Sequence, residues 1–214
     1  MTVPGWLLKE HQIDNSFHSD DELWSAINNL FNTRTKFRTS YKFCFLKSIL
    51  DNIYNVNERL ELSMIDIFSR FTEIYWNLIV KHHLNQIRQG SGTKSAIATL
   101  INEVSANNCV CPEMPFERLT QIEKDRLILG VVKECSKYVV GALCTDFRYI
   151  IYGFDEDKTK IQFSYFAYIF LVKYAYIIGK LNYFEWIKFL ESVMIRIWRI
   201  ILQAVWIILR KGWT

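Results

Sequence analysis

From Val193 to Leu209 the chain contains only three polar residues, Arg196, Arg199 and Gln203. A run this apolar is unfavourable in water, so the fold formed by the preceding residues must either cover it or present it to something else. Read as a helix, the stretch puts Glu185, Lys188, Ser192, Arg196, Arg199, Gln203 and Arg210 within an arc of about 80° and leaves the rest of the circumference apolar. The run from Met194 to Leu209 falls short of the roughly 20 residues of a spanning helix and holds two arginines. Three destinations fit it. It could be a helix buried against the body or in a partner, or an element at a membrane surface, which Trp198, Trp206, Trp213 and the terminal Arg210-Lys211 would suit. It could also be a truncated or frame-shifted product whose tail has no selected function.

The residues before it read mostly as helices. Ser19 followed by Glu22 has the form of a capping box, and Leu23, Trp24, Ile27, Leu30 and Phe31 then recur at helical spacing. A basic, turn-like segment, NTRTKFRTS, leads to a second helix carrying Phe43, Leu46, Ile49, Leu50 and Ile53. Ser63 with Asp66 repeats the capping pattern and opens a long helical stretch toward Arg88, ended by Gln89-Gly90-Ser91-Gly92. Residues Lys94 to Ser105 give a short helix, NNCVCPEMP a loop, and Pro115 the first position of a further helix that continues to about Lys137. The period then changes. YIIYGF, the acidic turn DEDK and KIQF predict two antiparallel strands joined as a hairpin, near Tyr149 to Phe154 and Lys160 to Phe163. Helix returns from Ser164, Gly179 interrupts it, and Asn182 caps a last helix from near Tyr183. The expectation is a mainly α (α+β) fold: a helical domain over residues 1–191 with a hairpin near 147–163, and an apolar helical extension over 192–214.

Charge is unevenly placed although the net value is only +4. No acid lies between Glu22 and Asp51, an interval holding Arg34, Lys36, Arg38, Lys42 and Lys47. A second acid-free interval, from Glu73 to Glu103, carries Lys81, Arg88 and Lys94 with His82 and His83. Such runs are most often solvated surface, but clustered cations with hydroxyl donors such as Thr33, Thr35, Thr39, Ser40 and Tyr41 between them also suit phosphate contacts.

Several activities find no support. There is no Gly-rich phosphate loop, no G-x-S-x-G, no H-E-x-x-H and no C-x-x-C. His82 and His83 are adjacent, so on a helix they diverge by about 100° and cannot share a metal. Five irregularly spaced cysteines, including a lone Cys109-x-Cys111, favour spare thiols in a reducing compartment over a zinc site. The first residues, MTVPGWLLKEHQ, lack the pattern of a signal peptide, so a cytoplasmic location is expected.

Four stretches together resemble the N-terminal helical region of bacterial HNH endonuclease-family proteins: YKFCFLKSIL at 41–50, IYWNLIVKHHLNQ at 74–86, KYVVGALCTDFRYIIYGFD at 137–155 and LNYFEWIKFLE at 181–191. They follow the family's order over roughly Trp24 to Glu191. The resemblance implies a DNA-engaging or regulatory module of the restriction and phage-defence kind, with cutting done by a separate metal-dependent HNH segment. The chain departs from that pattern after FLE, where Val193 and Met194 stand in place of a nearby Asn and no HNH segment follows. The expectation is therefore duplex-DNA association through Arg34, Lys36, Arg38, Lys42, Lys47, Lys81, His82 and Arg88, with no catalytic residue, metal or cofactor implied for this chain. The alternative is a membrane-associated effector or protein-interaction module acting through residues 193–210.

Overall fold

A computed structural model describes residues 4–32, 39–84, 86, 96–107 and 114–211, and their side chains apart from those of 6, 106, 107 and 195–211. The order is α1 (Asp20–Phe31), α2 (Tyr41–Asp51), β1 (Glu61–Ser63), α3 (Met64–Trp76), α4 (Ala96–Asn107), α5 (Gln121–Asp146), β2 (Tyr152–Phe154), β3 (Lys160–Phe163) and α6 (Tyr165–Lys211). The fold is mainly helical with a small antiparallel sheet.

Helix α2 is the centre. Phe43, Cys44, Phe45, Leu46, Ser48, Ile49 and Leu50 are all buried, so the helix is covered on nearly every side, as a helix without a polar face must be. It packs against α3, α5 and α6. Helix α1 closes one flank. Ser19 and Glu22 form the anticipated reciprocal box, with Ser19 N–H donating to Glu22 Oε2 at 2.9 Å. Trp24 then meets Phe170 of α6 edge-on, ring centres 5.2 Å apart.

The hairpin pairs, Gly153 opposite Gln162, but its first strand is only Tyr152–Phe154 and does not reach back to Tyr149, because Arg148 and Tyr149 take left-handed φ of 53° and 67°. A third strand was not anticipated: β1 pairs with β3, giving the order β1-β3-β2. It is only three residues long and alternates around one buried residue, Leu62, too little for periodicity to reveal. Ser63 ends this strand and caps α3 by accepting from Ile65 N–H, a simple cap without the reciprocal bond of a box. The N-terminal segment adds an isolated bridge from His11 to Phe154. Gly153 is required where it passes, because a Cβ there would lie 2.5 Å from His11 O.

Three helix boundaries differ from the sequence reading. Helix α3 does not reach Arg88. After Trp76 it widens into one π turn, Asn77–Lys81. His83 then adopts a left-handed φ of 52°, and Leu84 N–H donates back to Leu78 O at 2.8 Å. That seven-to-one bond is one residue wider than the six-to-one closure of a Schellman terminus, in keeping with the π turn before it, with His83 in the left-handed position that ends the helix.

Helix α5 starts at Gln121 rather than Pro115, because Thr120 and Glu123 form a second capping box and Pro115 instead precedes a single 3-10 turn, Phe116–Arg118. It also runs past Lys137 to Asp146. Its stripe Leu127, Val131, Cys135, Val139 and Leu143 is buried at strict four-residue spacing. The β-branched pair Val139-Val140 before Gly141 gives this region the local look of a strand. Gly141 allows the N-terminal turn Gly5–Leu7 to lie on the helix, since a Cβ would meet Gly5 O at 2.5 Å.

Helix α6 is continuous from Tyr165 to Lys211, so Gly179 does not interrupt it and Asn182 does not cap a new helix. A Cβ at Gly179 would meet nothing within 4 Å. Asn182 is buried and its Nδ2 donates 2.9 Å to Phe43 O, tying α6 to α2. Among the described residues no helix is long and apolar enough to cross a membrane.

Candidate nucleic-acid interface

The two acid-free intervals meet. Ser40, at the mouth of α2, Tyr75, near the end of α3, and Gln86 are all buried. Ser40 N–H donates to Gln86 O at 3.2 Å, and Ser40 Oγ donates to Gln86 Oε1 at 2.6 Å. Tyr75 OH lies 2.5 Å from Ser40 Oγ and, with the serine proton committed to Gln86, acts as the donor. Burial holds the Tyr75 phenol well above its ordinary pKa, which keeps that proton in place. Gln86 Nε2 donates to Leu84 O at 3.2 Å. The residue two places after Arg38 is thus fastened to the residue two places before Arg88.

The expected site residues divide into three groups around this junction. Arg34, Lys36, Arg38 and Arg88 lie outside the described residues, as do Lys94, Cys109 and Cys111. Lys81 and His82 are exposed at the end of the π turn, beside His83, and Lys81 has no ion-pair partner among the described residues.

The third group is already neutralised. Lys42 Nζ donates to Asp146 Oδ2 at 2.5 Å, with both side chains mostly covered. Burial raises the Asp146 carboxyl above its usual range, and Lys42 acts in the opposite direction. Lys47 pairs with Asp51 one turn along α2, and Asp51 also accepts from Arg70 Nε at 2.7 Å. An interval without acids in sequence is therefore supplied with acids by the fold at Lys42, and by its own boundary residue at Lys47.

Tyr75 and Gln86 carry no motif that marks them in advance, and Ser40, expected as a hydroxyl donor to phosphate, is instead buried with its proton given to Gln86. The only signal is that two polar residues, Ser40 and Gln86, sit beside apolar helical patterns without belonging to them.

Other chemistry is sparse. Among the described residues no three His, Cys, Asp or Glu side chains gather to hold a metal. Cys44, Cys135 and Cys144 are buried free thiols, and burial pushes Cys144 up to about 12 and the other two upward as well, which suppresses the nucleophilic thiolate. A shallow cavity of about 320 Å³ lies between His11, Gly153, Phe154 and Lys160. Another of about 180 Å³ is lined by Phe17, Tyr165 and Phe166 beside the Asp20–Lys173 ion pair. Glu10 and Asp155 also line the first, but its Lys160 Nζ donates to Glu61 Oε1 and its His11 Nε2 hydrogen-bonds with Tyr149 O, so both of these nitrogens already have partners.

No family model matches the chain, and no curated protein or solved structure matches it either.

Proposed function

We propose that this protein is a nucleic-acid-associated module that engages duplex DNA through its phosphates and does not itself catalyse cleavage. The observation that supports this reading is the Ser40–Gln86 junction, which fastens together the bases of two segments rich in cations and free of acids. Cations contributed by two segments tethered at one point release more counterions from a polyanion than those of either segment alone. Contacts of this kind position a protein on DNA without reading its sequence, so binding is general and salt-sensitive. The resemblance of four stretches to the helical region of HNH endonuclease-family proteins is the ground for naming duplex DNA and a restriction or phage-defence setting.

Fluorescence anisotropy with a mixed-sequence duplex tests the reading. Lys81→Glu should weaken binding, and Lys47→Ala should leave it unchanged because Lys47 is held by Asp51. Absence of binding by the parent at low salt, or equal weakening by both substitutions, contradicts it.

One observation favours a second reading, that of a protein-interaction module working through α6. Tyr176, Ile177, Tyr183, Phe184, Ile187 and Met194 are exposed large apolar residues on this one helix.

A further inference from the structure

Helix α6 buries Ile178, Asn182, Trp186, Phe189 and Val193 against the body. On the opposite face, residues Ile177, Lys180, Phe184, Ile187, Glu191 and Met194 are all exposed. Their spacing alternates between three and four, so they occupy one stripe within an arc of about 100°, the 3.5-residue repeat of a two-helix seam. Ile177 is 53% and Phe184 59% exposed, which is unusual for large apolar side chains on an ordinary surface helix.

The stripe reads the same in both directions. About a point midway between residues 185 and 186, Ile177 stands opposite Met194, Lys180 opposite Glu191, and Phe184 opposite Ile187. An antiparallel copy of the helix would therefore set apolar against apolar at four positions and cation against anion at two. This is the self-complementarity that a two-fold, isologous contact requires. Neither Lys180 nor Glu191 has an ion-pair partner among the described residues; Lys180 rests over the Tyr176 ring at 5.3 Å.

We infer that α6 docks antiparallel on α6 of a second copy of this chain, making a homodimer centred between Phe184 and Ile187. The seam from Ile177 to Met194 is about 26 Å long at 1.5 Å per residue. A parallel copy would place Lys180 on Lys180 and Glu191 on Glu191, so the charges select the antiparallel arrangement. This inference stands apart from the nucleic-acid reading, which uses other residues.

Sedimentation equilibrium of the full chain in nucleic-acid-free buffer is the test. The parent should reach about twice the 25.5 kDa chain mass at roughly 100 μM protein. Lys180→Glu and Glu191→Lys should each raise the dimer dissociation constant about tenfold or more, because each puts like charges together at two symmetry-related places. An equimolar mixture of the two variants should dimerise again, as should the doubly swapped chain. Phe184→Asp should give a monomer with an unchanged circular dichroism spectrum, since the side chain is exposed. A parent that stays monomeric at this concentration overturns the inference, including the case in which it sediments with anionic vesicles or a different protein instead. So does a dimer indifferent to Phe184→Asp, or one whose charge-reversed variants are not rescued by mixing.

Discussion

Ser40 and Gln86 are joined twice, by a backbone bond of 3.2 Å and a side-chain bond of 2.6 Å, with both residues buried. Because Tyr75 donates to the same serine oxygen, Ser40→Ala leaves two buried polar groups without their partner, whereas Tyr75→Phe removes only a donor. An unsatisfied buried group costs about 1–3 kcal/mol. Urea unfolding should therefore show Ser40→Ala destabilised by about 2–4 kcal/mol and Tyr75→Phe by about 1–2 kcal/mol. Equal losses would mean that the hydroxyl of Tyr75, rather than Ser40, is the hub of the network.

Two tryptophans offer a paired comparison. Trp76 Nε1 donates to Met114 O at 2.8 Å, whereas Trp186 Nε1 is buried without a partner among the described residues and its ring stacks on Phe43. Substitution by Phe removes a made hydrogen bond in the first case and an unmade one in the second. Trp76→Phe should cost at least about 1 kcal/mol more than Trp186→Phe in denaturant unfolding. Equal costs would reveal a bound water or other acceptor at Trp186.

Asp146 predicts a pH dependence whose sign is set by burial. Its carboxyl is raised from 3.8 mainly by desolvation, with Lys42 opposing. Between the unfolded and native values the folded state holds more protons than the unfolded state, so this group's contribution falls as pH rises from 3.8 through the native pKa. The stability of the parent relative to Asp146→Asn should therefore decline over that window in parallel thermal melts. A difference that grows with pH would show that attraction to Lys42 outweighs desolvation.

Features set by neighbouring residues were legible in sequence. The Ser19–Glu22 box is a contact over three residues, and the β2–β3 hairpin follows from alternation around an acidic turn. Features that depend on the rest of the fold were not. Thr120 and Glu123 have the same form as Ser19 and Glu22, but Pro115 offers an earlier plausible start, and only the 3-10 turn between them decides the matter. Gly179 and Asn182 look like an interruption and a cap until α2 supplies Phe43 O as a partner. The basic cluster is the sharpest case. Lys42 finds its acid at Asp146, 104 residues away, so charge counted along the chain overstates the free charge on the folded surface.

The proposed function rests on phosphate binding by the cations flanking the Ser40–Gln86 junction. The most direct measurement is the dependence of duplex-DNA affinity on salt for the parent and for the combined variant Arg34→Ala, Lys36→Ala, Arg38→Ala. Each phosphate contact contributes about 0.9 to the slope of log affinity against log salt, so three contacts should flatten it by up to about 2.7, with binding weakened uniformly across sequences. An unchanged affinity and an unchanged slope would contradict the account and leave these residues as solvated surface.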